Sequence, residues 1–148
     1  MEARSMAGHL IRRLNQVSTQ VFTRQMQAAG HDLTSVQFAA MDAIRETPGI
    51  DQATVAAMIA YDRATIGGVI DRLVQKGLVE RSVSKRDRRA REVRLTDKGD
   101  TLFQDILPLV RALQADILPG LTEDQRATFL ALARQAVATA ETADQSGD

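Results

Sequence analysis

The sequence predicts a mainly α-helical chain carrying one small two-stranded β-hairpin, and three observations lead there. Apolar residues recur at offsets of three and four over most of the length, the period of a helix that buries one face. One short stretch, residues 78–96, alternates apolar and polar residues instead, as half-buried strands do. Start and stop signals divide the remainder into segments: Thr34 with Gln37, Pro48-Gly49, Asp51, Asp62, Gly77, and Thr122 with Gln125. At 148 residues the chain is expected to form a single domain, 1–148, large enough for a real core.

Taken in order, Leu10, Leu14, Val17 and Val21 form one stripe of a first helix over about 4–29, with Ile11 and Phe22 beside it and Gly30 as its stop. Thr34 and Gln37 spell a capping box, in which the hydroxyl takes an N–H of the first turn and the glutamine takes that of the cap. The helix that follows, Ser35 to Glu46, ends before Pro48. Asp51 caps a short helix to about Ile59, and Asp62 caps a second from Arg63 to about Lys76, with Ile66, Val69, Ile70 and Leu73 on its inner face. Strands "LVERSV" and "REVRLT" flank the loop "SKRDRRA". Leu102, Ile106, Leu109, Leu113 and Ile117 mark the buried stripe of a long helix, Phe103 and Val110 widen its apolar face, and Pro108 predicts a kink in it. Thr122 and Gln125 open a last helix towards Ala140 with Phe129, Leu132, Ala133, Ala136 and Val137 inward, and "ADQSGD" reads as a frayed tail.

Composition narrows the function classes. The absence of cysteine removes disulfides, thiolate metal sites and thiol chemistry, and suits a reducing cytoplasm. Two isolated histidines offer no metal-ligand spacing, and neither a phosphate-cradling glycine loop nor a nucleophile set is visible; no catalytic residue, metal or cofactor is expected. The N-terminal "MEARSMAGHLIRRLNQVSTQ" lacks the apolar stretch of an export signal, and no run is long enough to cross a bilayer, so a cytoplasmic chain with no membrane partner is expected.

Charge is balanced overall, 19 basic against 19 acidic residues, but not locally. Between Arg63 and Arg94 ten basic residues face four acidic ones, a net of +6 that the remainder offsets. Such a lobe is the footprint of a nucleic-acid reader. Two helices joined by a tight turn and followed by a hairpin with a basic tip make a winged helix-turn-helix, here over 34–95. Its second helix suits a major groove roughly 12 Å wide, and the hairpin, or wing, reaches flanking phosphates or the minor groove with arginine. Arg72 on the outer face of that helix and Arg86 and Arg88 in the loop join the expected DNA-contact set.

The run "DRATIGGVIDRLVQKGLVERSVSKRDRRAREVRLTDKG" closely resembles the winged-helix segment of MarR-type bacterial transcription regulators, the multiple antibiotic resistance regulator family. That family's wing carries Asp-x-Arg followed by a strand ending Leu-Thr, and Asp87, Arg89, Leu95 and Thr96 stand in that order. The resemblance implies a homodimer built from the flanking helices, 4–29 plus 97–141, that sets its recognition helices on a palindromic operator in double-stranded DNA. It also places Arg63, Thr65, Gly67 and Gly68 near base edges and phosphates, and Arg89 in the minor groove braced by Asp87. The glycine pair departs from the pattern: with no side chain for base readout, close backbone approach or shape must carry more of the specificity.

The same resemblance implies a small aromatic carboxylate effector, bound between the dimerisation helices and the DNA-binding lobe, that releases a repressor from its operator. His9 and Arg13, four apart on the first helix, with Arg12 beside them, form a clamp for such a carboxylate or else a solvated stripe; spacing allows both. Phe38, Met41 and Phe103 form either the apolar floor of that pocket or part of the core. The competing class is a winged-helix module that docks a protein through the same face without specific DNA binding, which leaves the arginine-dense wing unexplained.

Overall fold

The computed structural model describes residues 2–145. After one 3-10 turn, Glu2–Ser5, the chain forms α1 (Ala7–Ala28), α2 (Ser35–Glu46), β1 (Ile50–Asp51), α3 (Gln52–Met58), α4 (Ile66–Gln75), β2 (Val79–Val83), β3 (Arg91–Leu95), α5 (Asp97–Ile117) and α6 (Glu123–Gln145). It divides into two compact units, Met1–Leu113 and Gln114–Asp148. Helix α5 runs across the division.

The first unit is built on buried side chains from its five α-helices and β3: Phe22 and Met26 of α1, Met41 and Ile44 of α2, Val55 of α3, Ile70 and Leu73 of α4, Val93 of β3, and Phe103 and Ile106 of α5. Burying each such side chain contributes about 1.5–3 kcal/mol, so this shared cluster dominates the unit's stability. The capping box at α2 is complete: Gln37 N–H donates to Thr34 Oγ1 at 3.1 Å and Thr34 N–H to Gln37 Oε1 at 3.2 Å. Lys76 Nζ adds a second donor to that amide oxygen, 3.1 Å away, tying the end of α4 to the start of α2.

The sheet has three strands rather than two, in the order β1-β3-β2, all antiparallel. The expected hairpin pairs Val79 with Leu95 through Val83 with Arg91. The added strand pairs Ile50 with Val93 and Asp51 with Glu92, so the entry to α3 is stitched to the wing. Two residues are too few to show alternation in sequence.

Gly77 and Gly99 answer two different demands of the backbone. Gly77, at φ 72°, lets α4 end in a left-handed residue, with Leu78 N–H returning to Leu73 O at 3.0 Å. A Cβ on Gly99 would stand 2.0 Å from the Leu78 carbonyl oxygen, so the first turn of α5 lies against the chain entering β2. Thr96 fixes that approach: its hydroxyl donates to Gly77 O at 2.6 Å and accepts the Gly99 N–H at 3.0 Å, capping α5.

Three expectations shift. Helix α4 begins at Ile66, not Arg63, because Asp62 organises a turn instead: its carboxylate accepts the Ala64 N–H at 2.9 Å and its carbonyl accepts those of Thr65 and Ile66. Of the broad face expected on α5, Phe103, Ile106, Val110 and Leu113 are buried together with Gly99, while Leu109 is exposed. Pro108 lies inside this helix, as expected. On α1 the expected stripe is only half-buried at Leu14, Val17 and Val21, and Leu10 is exposed, while Phe22 and Met26 supply the anchors.

In the second unit, Thr122 and Gln125 cap α6 reciprocally at 2.9 and 3.2 Å. Leu132 and Val137, expected inward, are exposed. Helix α6 runs to Gln145 where a frayed tail is expected from Ala143, and the end of that tail, 146–148, lies outside the described residues.

Candidate nucleic-acid interface

Helix α4, the turn before it, the start of α3 and the wing converge on one open cleft of about 590 Å³. Asp51, Gln52 and Ala53 line it from α3, Arg63, Ala64, Ile66 and Gly67 from α4 and its leading turn, and Asp87, Arg89, Ala90 and Arg91 from the wing. Three guanidinium groups thus border a space bounded by two helix starts, where backbone N–H groups also favour negative charge.

The wing tip is ordered by its own backbone. Ser84 and Ala90 close it through an N–H to carbonyl bond of 3.0 Å. The buried Ser84 hydroxyl accepts the N–H groups of Arg86 and Asp87 at 3.2 and 3.3 Å. Asp87 accepts the Arg89 backbone N–H at 2.9 Å. The contact between Asp87 and Arg89 is at the main chain; among the described residues the Arg89 guanidinium holds no partner, nor do those of Arg63, Arg72, Arg86 and Arg88. Five exposed, unpaired cations on adjoining elements raise the local potential and leave their donors free for an anionic ligand.

Of the expected contact residues, the cleft gathers Arg63, Gly67, Asp87 and Arg89. Thr65, Gly68 and Arg72 lie exposed on α4 or at its cap, and Arg86 and Arg88 at the wing tip, outside that lining. Two other participants escape a reading of local sequence. Arg81, at the base of the wing, donates to Gln52 Oε1 at 3.0 Å and lies 2.6 Å from Asp71 Oδ1, joining β2 to α3 and α4 at one point. Arg91 borders the cleft from β3. Asp51, the expected cap of α3, also lines the cleft: it accepts the Thr54 N–H at 2.9 Å and its hydroxyl at 2.8 Å, and the Thr54 backbone bond above all holds this carboxyl below its ordinary value.

The expected effector residues fall into two groups. On the first turns of α1, His9 is half-buried and Arg12 and Arg13 are exposed, with Arg13 donating to Gln16. Met41 and Phe103 are core, 0% and 1% exposed, and half-buried Phe38 stacks on Phe103 with centroids 5.0 Å apart. Arg45 covers the same stack, 5.3 Å from the Phe103 centroid, while paired to Asp100 at 3.0 Å. Among the described residues no hydrogen bond, ion pair or ring contact joins the α1 group to the aromatic stack.

The model of the MarR family matches residues 33–90, from the approach to α2 to the end of the wing tip. Over 136 residues the chain is 35% identical to the HTH-type transcriptional repressor NicR of Pseudomonas putida, covering 92% of this chain and 85% of that one. The chain belongs to the MarR family. Solved structures of similar proteins include the PcaV transcriptional regulator of Streptomyces coelicolor in complex with its natural ligand, at 31% identity and a TM-score of 0.78 over 92% of this chain and 94% of that one. Another is BpsR of Bordetella bronchiseptica, whose DNA binding is regulated by 6-hydroxynicotinic acid, at 29% identity and a TM-score of 0.79 over 90% and 94%. As a MarR family member the protein is a DNA-binding transcriptional regulator, not an enzyme. Among the described residues no helix is long and apolar enough to cross a membrane.

Proposed function

We propose that this MarR family member is a homodimeric repressor that reads a palindromic operator and is released from it by a small aromatic carboxylate. The observation that carries the DNA half is the cleft itself, which sets the start of α4 and the wing side by side with unpaired Arg63 and Arg89 on its rim. Helix α4 enters the major groove, and Arg89 reaches the flanking minor groove or its phosphates. Dimerisation is supported by apolar side chains at least half exposed, Met6, Leu10 and Ile11 on the first residues of the chain and Leu132 and Val137 on α6. Two copies related by a two-fold axis present two α4 helices to half-sites roughly 34 Å apart.

The effector half is supported by BpsR and PcaV, similar proteins that respond to or hold a ligand. In this chain His9, Arg12 and Arg13 are the candidate carboxylate clamp; of the candidate apolar floor, half-buried Phe38 offers surface, whereas Met41 and Phe103 are buried. The ligand releases DNA by favouring a spacing of the two α4 helices that no longer fits successive major grooves, to the extent that it binds the free state more tightly than the DNA-bound one.

The test is a fluorescence-anisotropy titration of the duplex immediately upstream of the gene, over several salt concentrations, with and without benzoate, hydroxybenzoate and hydroxynicotinate. Selective binding that weakens steeply with salt, by roughly 0.9 in log K per log salt for each phosphate contact, and that one acid releases, is the expected result. Arg89→Ala should weaken binding and flatten the salt slope by about 0.9 per wing while leaving the unfolding midpoint unchanged. Wild-type affinity in that variant would refute the wing assignment.

A further inference from the structure

Gly67 and Gly68 stand at the second and third positions of α4, where glycine is among the poorest helix formers. Neither is required by the backbone, for both lie outside the positive-φ glycines at 30, 49 and 77. Neither is required by packing. A Cβ on Gly67 would meet only the end of the Gln52 side chain, at an ordinary 3.9 Å, and one on Gly68 would meet nothing within 4 Å. The contrast within the same chain is Gly99, whose Cβ would collide with backbone. Nothing inside the protein therefore explains why this turn of α4 is bare.

What surrounds the turn does. Gly67 lines the cleft between the unpaired Arg63 and Arg89, and Gly68 lies next to it on the exposed side of α4. A duplex drawn in by those guanidinium groups meets the helix backbone at these two residues first. We infer that the glycine pair is a clearance feature: it keeps open, at the first turn of α4, the volume that DNA fills, so that base edges and sugar–phosphate come into direct contact with the main chain. This deepens the DNA reading above and rests on it. The position discriminates among DNA sites by fit to a flat surface rather than by a side-chain hydrogen bond, so sites whose groove is shallow or narrow enough to close on it are selected.

The consequence is a pair of changes in opposite directions. Gly67→Ala and Gly68→Ala each remove the helix penalty in a position with room for the methyl group, so each raises the melting temperature, by roughly 2–4 °C. Each also intrudes on the duplex, so affinity for the upstream DNA falls at least tenfold, and the double variant falls further. Because no charge changes, the salt slope stays at the wild-type value, which separates lost clearance from a lost phosphate contact such as Arg89→Ala. Gln75→Ala, at the far end of the same helix, is the control and leaves affinity unchanged.

Thermal unfolding by circular dichroism and fluorescence anisotropy with that duplex read both changes. Stabilised variants that bind at least tenfold more weakly with an unchanged slope bear the inference out. Variants that bind within twofold of wild type, or that melt lower, overturn it while leaving the DNA-binding reading intact; a wild-type protein that binds no DNA overturns both.

Discussion

Gly99→Ala is expected to be among the most damaging single methyl additions to this protein. The new Cβ would lie 2.0 Å from Leu78 O, 2.9 Å from its carbonyl carbon and 3.2 Å from its Cα. All three are backbone atoms, so no rotamer relieves the clash. The start of α5 must retreat by roughly 1 Å, and overpacking of this kind costs about 1–3 kcal/mol. The retreat also pulls on the Thr96 N–H bond to Leu78 O, now 3.1 Å, and on the Thr96 hydroxyl bond to Gly77 O. Losing one of these adds about 1 kcal/mol. The total is about 3 kcal/mol, read as a shift of the urea midpoint at unchanged slope and a melting temperature lower by roughly 6–12 °C. A variant within about 0.5 kcal/mol of wild type would refute the claim that α5 docks through a bare first turn.

Asp51→Ala removes the cap of α3 and should cost about 1 kcal/mol at neutral pH. Because the folded carboxyl titrates below its ordinary value of 3.8, its contribution is present above the unfolded value and fades as pH falls through the lower folded one; urea midpoints at pH 7 and pH 3 should therefore show the gap to wild type shrinking in acid. Ala60, at φ 53°, holds a left-handed residue where Tyr61 N–H returns to Ala56 O at 2.8 Å. Ala60→Gly should raise stability by about 0.5–1 kcal/mol in the same assay, and a loss would show that the Ala60 methyl group packs usefully. Arg81→Met should lower stability by less than about 1 kcal/mol, since Asp71 is half exposed, yet weaken DNA binding more than that by unlinking wing from α4. Equal losses in both measurements would make Arg81 a purely structural residue.

Much of this architecture was legible because it is written in local chemistry. The bounds of α2 follow from a capping box at one end and Pro48 at the other, and its span is Ser35–Glu46 in both sequence and structure. Which edge of the broad α5 face is buried most deeply was not legible, because Leu102 and Phe103, and Leu109 and Val110, are adjacent apolar pairs. The choice is made by Gly99, whose contact with Leu78 turns the Phe103 and Val110 face inward. Asp62 reads as a cap and instead shapes a turn, since a side chain that satisfies one N–H does not fix where the helix starts. In the candidate site, the basic residues announce themselves by density, and four of the named residues share one cleft. The Arg81 junction with Gln52 and Asp71 spans separations of 29 and 10 residues, which no periodicity records.

The wing tip satisfies its own polar groups between Ser84 and Ala90, and its register is already fixed by the ladder from Val79 to Leu95. Its arginines therefore sit on a frame that owes nothing to their identity. Such a loop is an interchangeable cartridge: residues 85, 86, 88 and 89 can diverge around Asp87, or the loop be transplanted between regulators with the same Ser84, Asp87 and Ala90 frame, and alter which DNA is gripped without renegotiating the fold beneath.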